Sequence, residues 1–96
     1  MGLLTPGMGL MGTIVVWDDG PSGNVEHIAE HGLTPDEVDE VLLDDSIPTA
    51  HSDSTGRPCK FGHTSTGKHI IVVWDELEDD PRMLYPVTSY EVPEPS

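Results

Sequence analysis

Lys68-His69-Ile70-Ile71-Val72-Val73-Trp74-Asp75 is the stretch whose reading decides the fold. Its apolar run is unbroken from Ile70 to Trp74, rich in β-branched side chains, and without helical period. It therefore predicts a strand covered on both faces, the central strand of a sheet. Thr64-Ser65-Thr66-Gly67 precedes it as a tight connection, and residues 57–64 read as the neighbouring strand. On the other side, residues 76–81 read as an acidic loop and residues 83–90 as a last strand. Proline cannot donate to a ladder, so Pro86 is expected at an edge or a bulge. Residues 47–50 read as a further short strand, and residues 51–56 are rich in turn formers.

Working back toward the start, Thr13-Ile14-Val15-Val16-Trp17 is a second β-branched run, ended by the turn chemistry of Asp18-Asp19-Gly20-Pro21-Ser22-Gly23. A short helix over residues 25–31 follows, with Asn24 as its N-cap, Val25, Ile28 and Ala29 on one face, and Gly32 where a left-handed residue closes the helix. Thr34-Pro35-Asp36-Glu37 then spells a capping box with proline at the first helical position. Val38, Val41 and Leu42 give this second helix its apolar face, out to residue 43 or 44. Asp36, Glu37, Asp39 and Glu40 are expected to form a solvated acidic face. The order of elements gives an α+β class: one strand, then two short helices, then an antiparallel sheet of three to four strands. Residues 13–91 make a single domain, residues 1–12 a disordered N-terminal extension with Met8 and Met11 as alternative starts, and residues 92–96 a frayed tail.

The chain has 96 residues, enough for one domain with a thin core. Its formal net charge is −14, from 18 acidic and 4 basic side chains. That balance argues against broad binding of RNA or DNA, which needs cations against phosphate, and favours a basic protein partner. The single cysteine, Cys59, excludes an intramolecular disulfide and a multi-thiolate zinc site; it reads as a small strand residue and fits a reducing compartment. No segment has the length or apolarity of a membrane span or the pattern of a signal peptide, so a cytoplasmic protein away from membranes is expected.

Two sets of residues invite chemical readings. His27-Ile28-Ala29-Glu30-His31 matches H-x-x-E-H, which puts two histidines on one helix face, as zinc enzymes do. That chemistry also needs a third ligand and a substrate cleft, so the preferred reading is an ordinary helix with polar residues outward, and no metal or cofactor is assigned. Arg57 and Lys68 stand near strand starts, where they can hold a phosphate or simply pair with carboxylates. No G-x-S-x-G or phosphate-loop motif occurs.

Taken in order, Trp17-Asp18, His27-Ile28-Ala29-Glu30-His31-Gly32-Leu33, Pro35-Asp36-Glu37-Val38, Arg57-Pro58-Cys59-Lys60-Phe61-Gly62 and Ser65-Thr66-Gly67-Lys68-His69-Ile70-Ile71-Val72-Val73 form a pattern. It resembles the BrnT family of toxins from bacterial type II toxin–antitoxin systems, over residues 13–90. The resemblance implies a RelE-like fold, metal-independent cleavage of messenger RNA, and an antitoxin protein as partner. By the same resemblance Arg57 matches the arginine opening the family's second block, Lys68 the basic residue before the central strand, and His31 the histidine of a K-H-G segment. RNA cleavage needs a base, cations at the scissile phosphate and an acid. Arg57 and Lys68 would hold the phosphate, with His27, His31 and Tyr90 as candidates for proton transfer. The pattern departs from the family in two places. Glu26, His27 and Glu30 replace its usual lysines and asparagine, and Thr88 and Ser89 stand where its arginines are expected. The alternative is therefore a RelE-fold interaction module that binds a basic protein without cleaving RNA.

Overall fold

The computed structural model describes residues 13–79 and 81–94. The elements are β1 (Thr13–Val15), α1 (Asn24–Ala29), α2 (Pro35–Leu42), β2 (Ala50–His51), β3 (Pro58–His63), β4 (His69–Asp79) and β5 (Arg82–Glu91). The expected extension over residues 1–12 lies outside the described residues.

All the described strands belong to one sheet, ordered β1-β5-β4-β3-β2, with β1 parallel to β5 and the remaining pairs antiparallel. The α+β class and the central place of residues 70–74 are as expected. The sheet has five strands rather than three to four, because β5, the last strand in sequence, returns to pair with β1, and Ala50–His51 pairs with Pro58 and Cys59. The helices cover one face: Ile28, Leu33, Val38, Val41 and Leu42 pack with Ile70, Val72, Trp74 and Leu84. On the opposite face Cys59, Ile71 and Val73 cluster with Val92. That double cover is why the run from Ile70 to Trp74 carries no polar alternation.

Three local expectations are met by the physics that suggested them. Glu37 N–H donates to Thr34 Oγ1 at 3.3 Å while Thr34 N–H donates to Glu37 Oε1 at 3.0 Å, closing the capping box with Pro35 at the start of α2. Gly32 closes the first helix at a φ of +79°, in the left-handed region. Pro86 lies opposite Trp74, beside a shift of register between Val73 and Trp74.

Four expectations are corrected. Residues 76–79 are strand, not loop, because β4 and β5 stay paired as far as Asp79 opposite Arg82; backbone pairing with β5 outweighs the poor strand propensity of Glu and Asp. Asn24 is not an N-cap: Gly23 takes that place without a side-chain bond, and the Asn24 side chain is used elsewhere. The acidic face of α2 is not simply solvated. Glu37 is buried and the half-buried Asp39 accepts from Trp17 Nε1 at 3.0 Å; Asp36 and Glu40 are exposed, Glu40 accepting from Ser65 Oγ at 2.8 Å. Burial raises the Asp39 pKa above its ordinary value. Finally, residues 92–94 are not frayed: Val92 N–H donates to His69 O at 2.9 Å, and His63 Nε2 meets Glu94 Oε1 at 2.8 Å.

Gly62 lets β3 approach Val41 and Ile47 closely. A Cβ there would lie 2.7 Å from Ile47 Cδ1 and 3.2 Å from Val41 Cγ1. Gly62→Ala is therefore expected to overpack this seam and lower stability by about 1–3 kcal/mol. Urea unfolding checks this; an unchanged midpoint would mean that Ile47 swings aside freely.

Candidate functional site

α1 lies against β5, which sets the geometry of the histidine pair. The helix expected to run to residue 31 ends at Ala29, and His31 lies in the turn after it, where its N–H donates to Ile28 O at 2.9 Å and brings it beside His27. Their rings meet edge-on with centroids 5.4 Å apart. His27 Nε2 is 3.1 Å from Thr88 Oγ1, and the His31 ring is 5.8 Å from the Tyr90 ring. Both histidines are exposed. A groove of about 320 Å³ opens beside this region, lined by Ser22, Asn24, His27, Tyr85, Val87 and Thr88 among others.

Lys68 reaches the same end of α1 from the start of β4. Its Nζ donates to Gly32 O at 2.8 Å, one residue past His31, and lies 3.1 Å from Glu37 Oε2. The structure therefore gathers Lys68, His31, His27 and Tyr90. Arg57 is not with them. Its Nε donates to Asp75 Oδ1 at 2.7 Å. Asp75 lies seven residues beyond Lys68, roughly 20 Å along a strand that rises ~3.3 Å per residue. One phosphate cannot touch both cations.

Lys60 is a cation that sequence reasoning passed over. It is 7% exposed, and its Nζ donates to Leu42 O and Asp44 O, each at 2.9 Å. It thereby satisfies carbonyls left open at the C-terminus of α2, where a positive charge also suits the helix dipole. Burial lowers the pKa of this ammonium. The available signal was a lysine on a strand whose neighbour, Cys59, belongs to the opposite face. Arg82 Nη2 contacts Glu76 Oε1 at 3.2 Å. Each of the chain's 4 basic side chains is thus already held by an acceptor of the same chain.

Glu37 is the counterpart of this arrangement. Thr66 Oγ1 donates to it, as do Thr34 N–H and Lys68 Nζ. The Thr66 bond first, then Lys68 and Thr34, hold its carboxyl below its ordinary pKa against the opposing effect of burial. Lys68 would have to leave this carboxylate to bind anything else.

A second histidine pair, His63 and His69, stacks across β3 and β4 with centroids 4.6 Å apart and holds the segment after β5 through Glu94 and Pro93 O. Among the described residues, no group of three or more His, Cys, Asp or Glu side chains is arranged to hold a metal ion, and no described helix is long and apolar enough to cross a membrane. The chain matches no family model, and no curated protein or solved structure is found to be similar to it.

Proposed function

We propose that this chain is a non-catalytic, RelE-like interaction module whose partner is a basic protein, as a toxin-type subunit is held by an antitoxin. The observation that carries the reading is the engagement of all 4 basic side chains by acceptors of the chain itself, against 18 acidic ones. RNA affinity comes largely from cations that neutralise phosphates and release counterions. Here Lys60 and Lys68 would first have to abandon carbonyls or a carboxylate, and the charges of Arg57 and Arg82 are already countered by Asp75 and Glu76. A basic protein meets the opposite situation, because the surplus carboxylates steer it in and are neutralised on contact. The buried thiol of Cys59, its pKa raised by burial, suits a reducing cytoplasm.

A second reading is favoured by one specific observation, the gathering of Lys68, His31, His27 and Tyr90 at one end of α1. In it these residues would serve metal-independent RNA cleavage, with a histidine moving the proton and Lys68 facing the phosphate. Arg57 would have no part, given its distance.

One experiment separates the two. The purified protein is incubated at low salt with fluorescein-labelled single-stranded RNA, and separately titrated with a lysine-rich peptide. The expected result is intact RNA, with peptide binding that weakens as salt shortens the Debye length to about 10 Å at 0.1 M. Cleavage that persists in Arg57→Ala but is lost in His31→Ala and Lys68→Met would overturn the module reading in favour of the ribonuclease.

A further inference from the structure

We infer that the open edge of β4 between Asp75 and Asp79 is where the basic partner docks, by adding an extended segment of alternating cationic and apolar residues to the sheet. The inference rests on the module reading above and gives it a place.

The edge exists because β3 ends before β4 does. Their ladder runs from His63 opposite His69 to Cys59 opposite Val73. The chain before it turns away, closed by Ser52 N–H to Arg57 O at 2.8 Å and Gly56 N–H to Ser52 O at 2.7 Å, with Gly56 at a φ of +74°. Among the described residues, β4 continues to Asp79 with β5 alone as its partner. In such a strand alternate N–H and C=O groups face outward, with no described strand opposite them. Added strands use these groups for affinity and the flanking side chains for selection.

Charge decides what can add. Asp75, Glu76, Glu78 and Asp79 line this edge, and only Asp75 and Glu76 have an arginine, Arg57 and Arg82 respectively. Leu77 stands among them, 50% exposed, at the register shift between Glu76 and Glu78. Charge on an edge strand is a device against promiscuous pairing. Four carboxylates repel an acidic strand, including a second copy of a chain of net charge −14, and admit a basic one. Among the described residues the outer edge of β3 beyond Cys59 also lacks a strand, but Lys60, Phe61, Gly62 and His63 bring no carboxylate to it. At the same end of the sheet, on the helix side, a cavity of about 280 Å³ is lined by Leu42, Leu43, Lys60, Trp74, Arg82 and Leu84 among others. An apolar side chain of the added strand has that recess nearby.

The test uses the whole chain and two capped peptides, Lys-Val-Lys-Val-Lys-Val and Glu-Val-Glu-Val-Glu-Val. Amide hydrogen exchange is read with and without each, and binding is repeated with the double variant Glu78→Lys, Asp79→Lys, whose fold is checked by thermal unfolding. The expected result is that the lysine peptide alone slows exchange at amides within residues 75–79 by about tenfold or more. The double variant is expected to bind it about tenfold more weakly or worse. If the lysine peptide binds with the usual salt dependence but protects other amides, and the double variant binds it equally well, the edge is wrong and the module reading stands. If the lysine peptide does not bind at low salt, both fall.

Discussion

Glu37→Ala should lower the unfolding free energy by about 3 kcal/mol, the low end of the range for breaking a buried charge pair. The low end applies because the Lys68 side chain keeps 31% of its surface in water and can be partly resolvated, whereas that of Glu37 keeps 6%. The loss combines three separate contacts. The Thr34 N–H loses its reciprocal cap, the Thr66 hydroxyl loses its acceptor, and Lys68 keeps only Gly32 O. Glu37→Gln should fall between, since an amide oxygen can still cap Thr34 while the charge opposite Lys68 is gone. The same carboxylate gives a pH signature. Its folded pKa lies below its ordinary value of 4.5, so its contribution is complete above that value and is lost as pH falls through the lower, folded one. Wild type and Glu37→Ala should therefore converge in stability on acidification below about pH 4.5, measured by urea unfolding at a series of pH values. A gap that stays constant down to strongly acid pH would show that the carboxylate charge contributes nothing and that only packing was lost.

The parts of this fold that were legible in the sequence are those set by local or periodic physics. The run from Ile70 to Trp74 announces a strand buried on both faces because every side chain in it needs cover. Thr34 to Glu37 announces a helix start because both halves of the capping box lie within four residues. What was not legible is long-range. That β4 continues through Glu76-Leu77-Glu78-Asp79 depends on β5 being there to pair with it, and nothing in the acidic sequence itself calls for a strand. The site residues divide the same way. His27 and His31 do come together, but not on one helix face: α1 stops at Ala29, and the turn that closes it brings the His31 ring to His27. The family resemblance assigns Arg57 and Lys68 to one phosphate, yet β3 and β4 are antiparallel and the strand starts that carry them lie at opposite ends of the ladder. Likewise the carboxylates of α2 looked solvated because helical spacing tells which face they share, but not that Trp17, Ser65, Thr66 and Lys68 come to meet that face.

Asn24→Ala should be comparably damaging, about 3 kcal/mol, although Asn24 is neither charged nor a helix cap. Its side chain is buried at the point where β1 leaves β5. β1 pairs with β5 through Val15 opposite Leu84, and Val16 N–H still reaches Leu84 O at 2.8 Å, after which the chain turns toward α1. Pro86 cannot donate to a neighbour, and its carbonyl and that of Val16 both need a donor. The Asn24 amide supplies it, with Nδ2 donating to Val16 O at 3.0 Å and to Pro86 O at 3.1 Å. Oδ1 accepts from Asp18 N–H at 2.7 Å. The two carbonyls and one N–H fix which end of the amide is which. Truncation leaves three backbone groups without these partners, and an unsatisfied buried group costs about 1–3 kcal/mol, so the sum is set by how many of them water can reach. Asn24→Asp makes a sharper test because shape is kept. The carboxylate can still accept from Asp18 N–H, but it turns an acceptor toward two carbonyls and buries a charge. It should destabilise at pH 7 at least as much as alanine. Its folded pKa will lie above the unfolded one, so the variant should regain stability as pH falls and one oxygen becomes a donor, the opposite trend to that from Glu37. Urea unfolding of both variants at neutral and mildly acid pH decides it: an Asn24→Asp protein as stable as wild type at pH 7 would mean that the amide does not bridge the two strands.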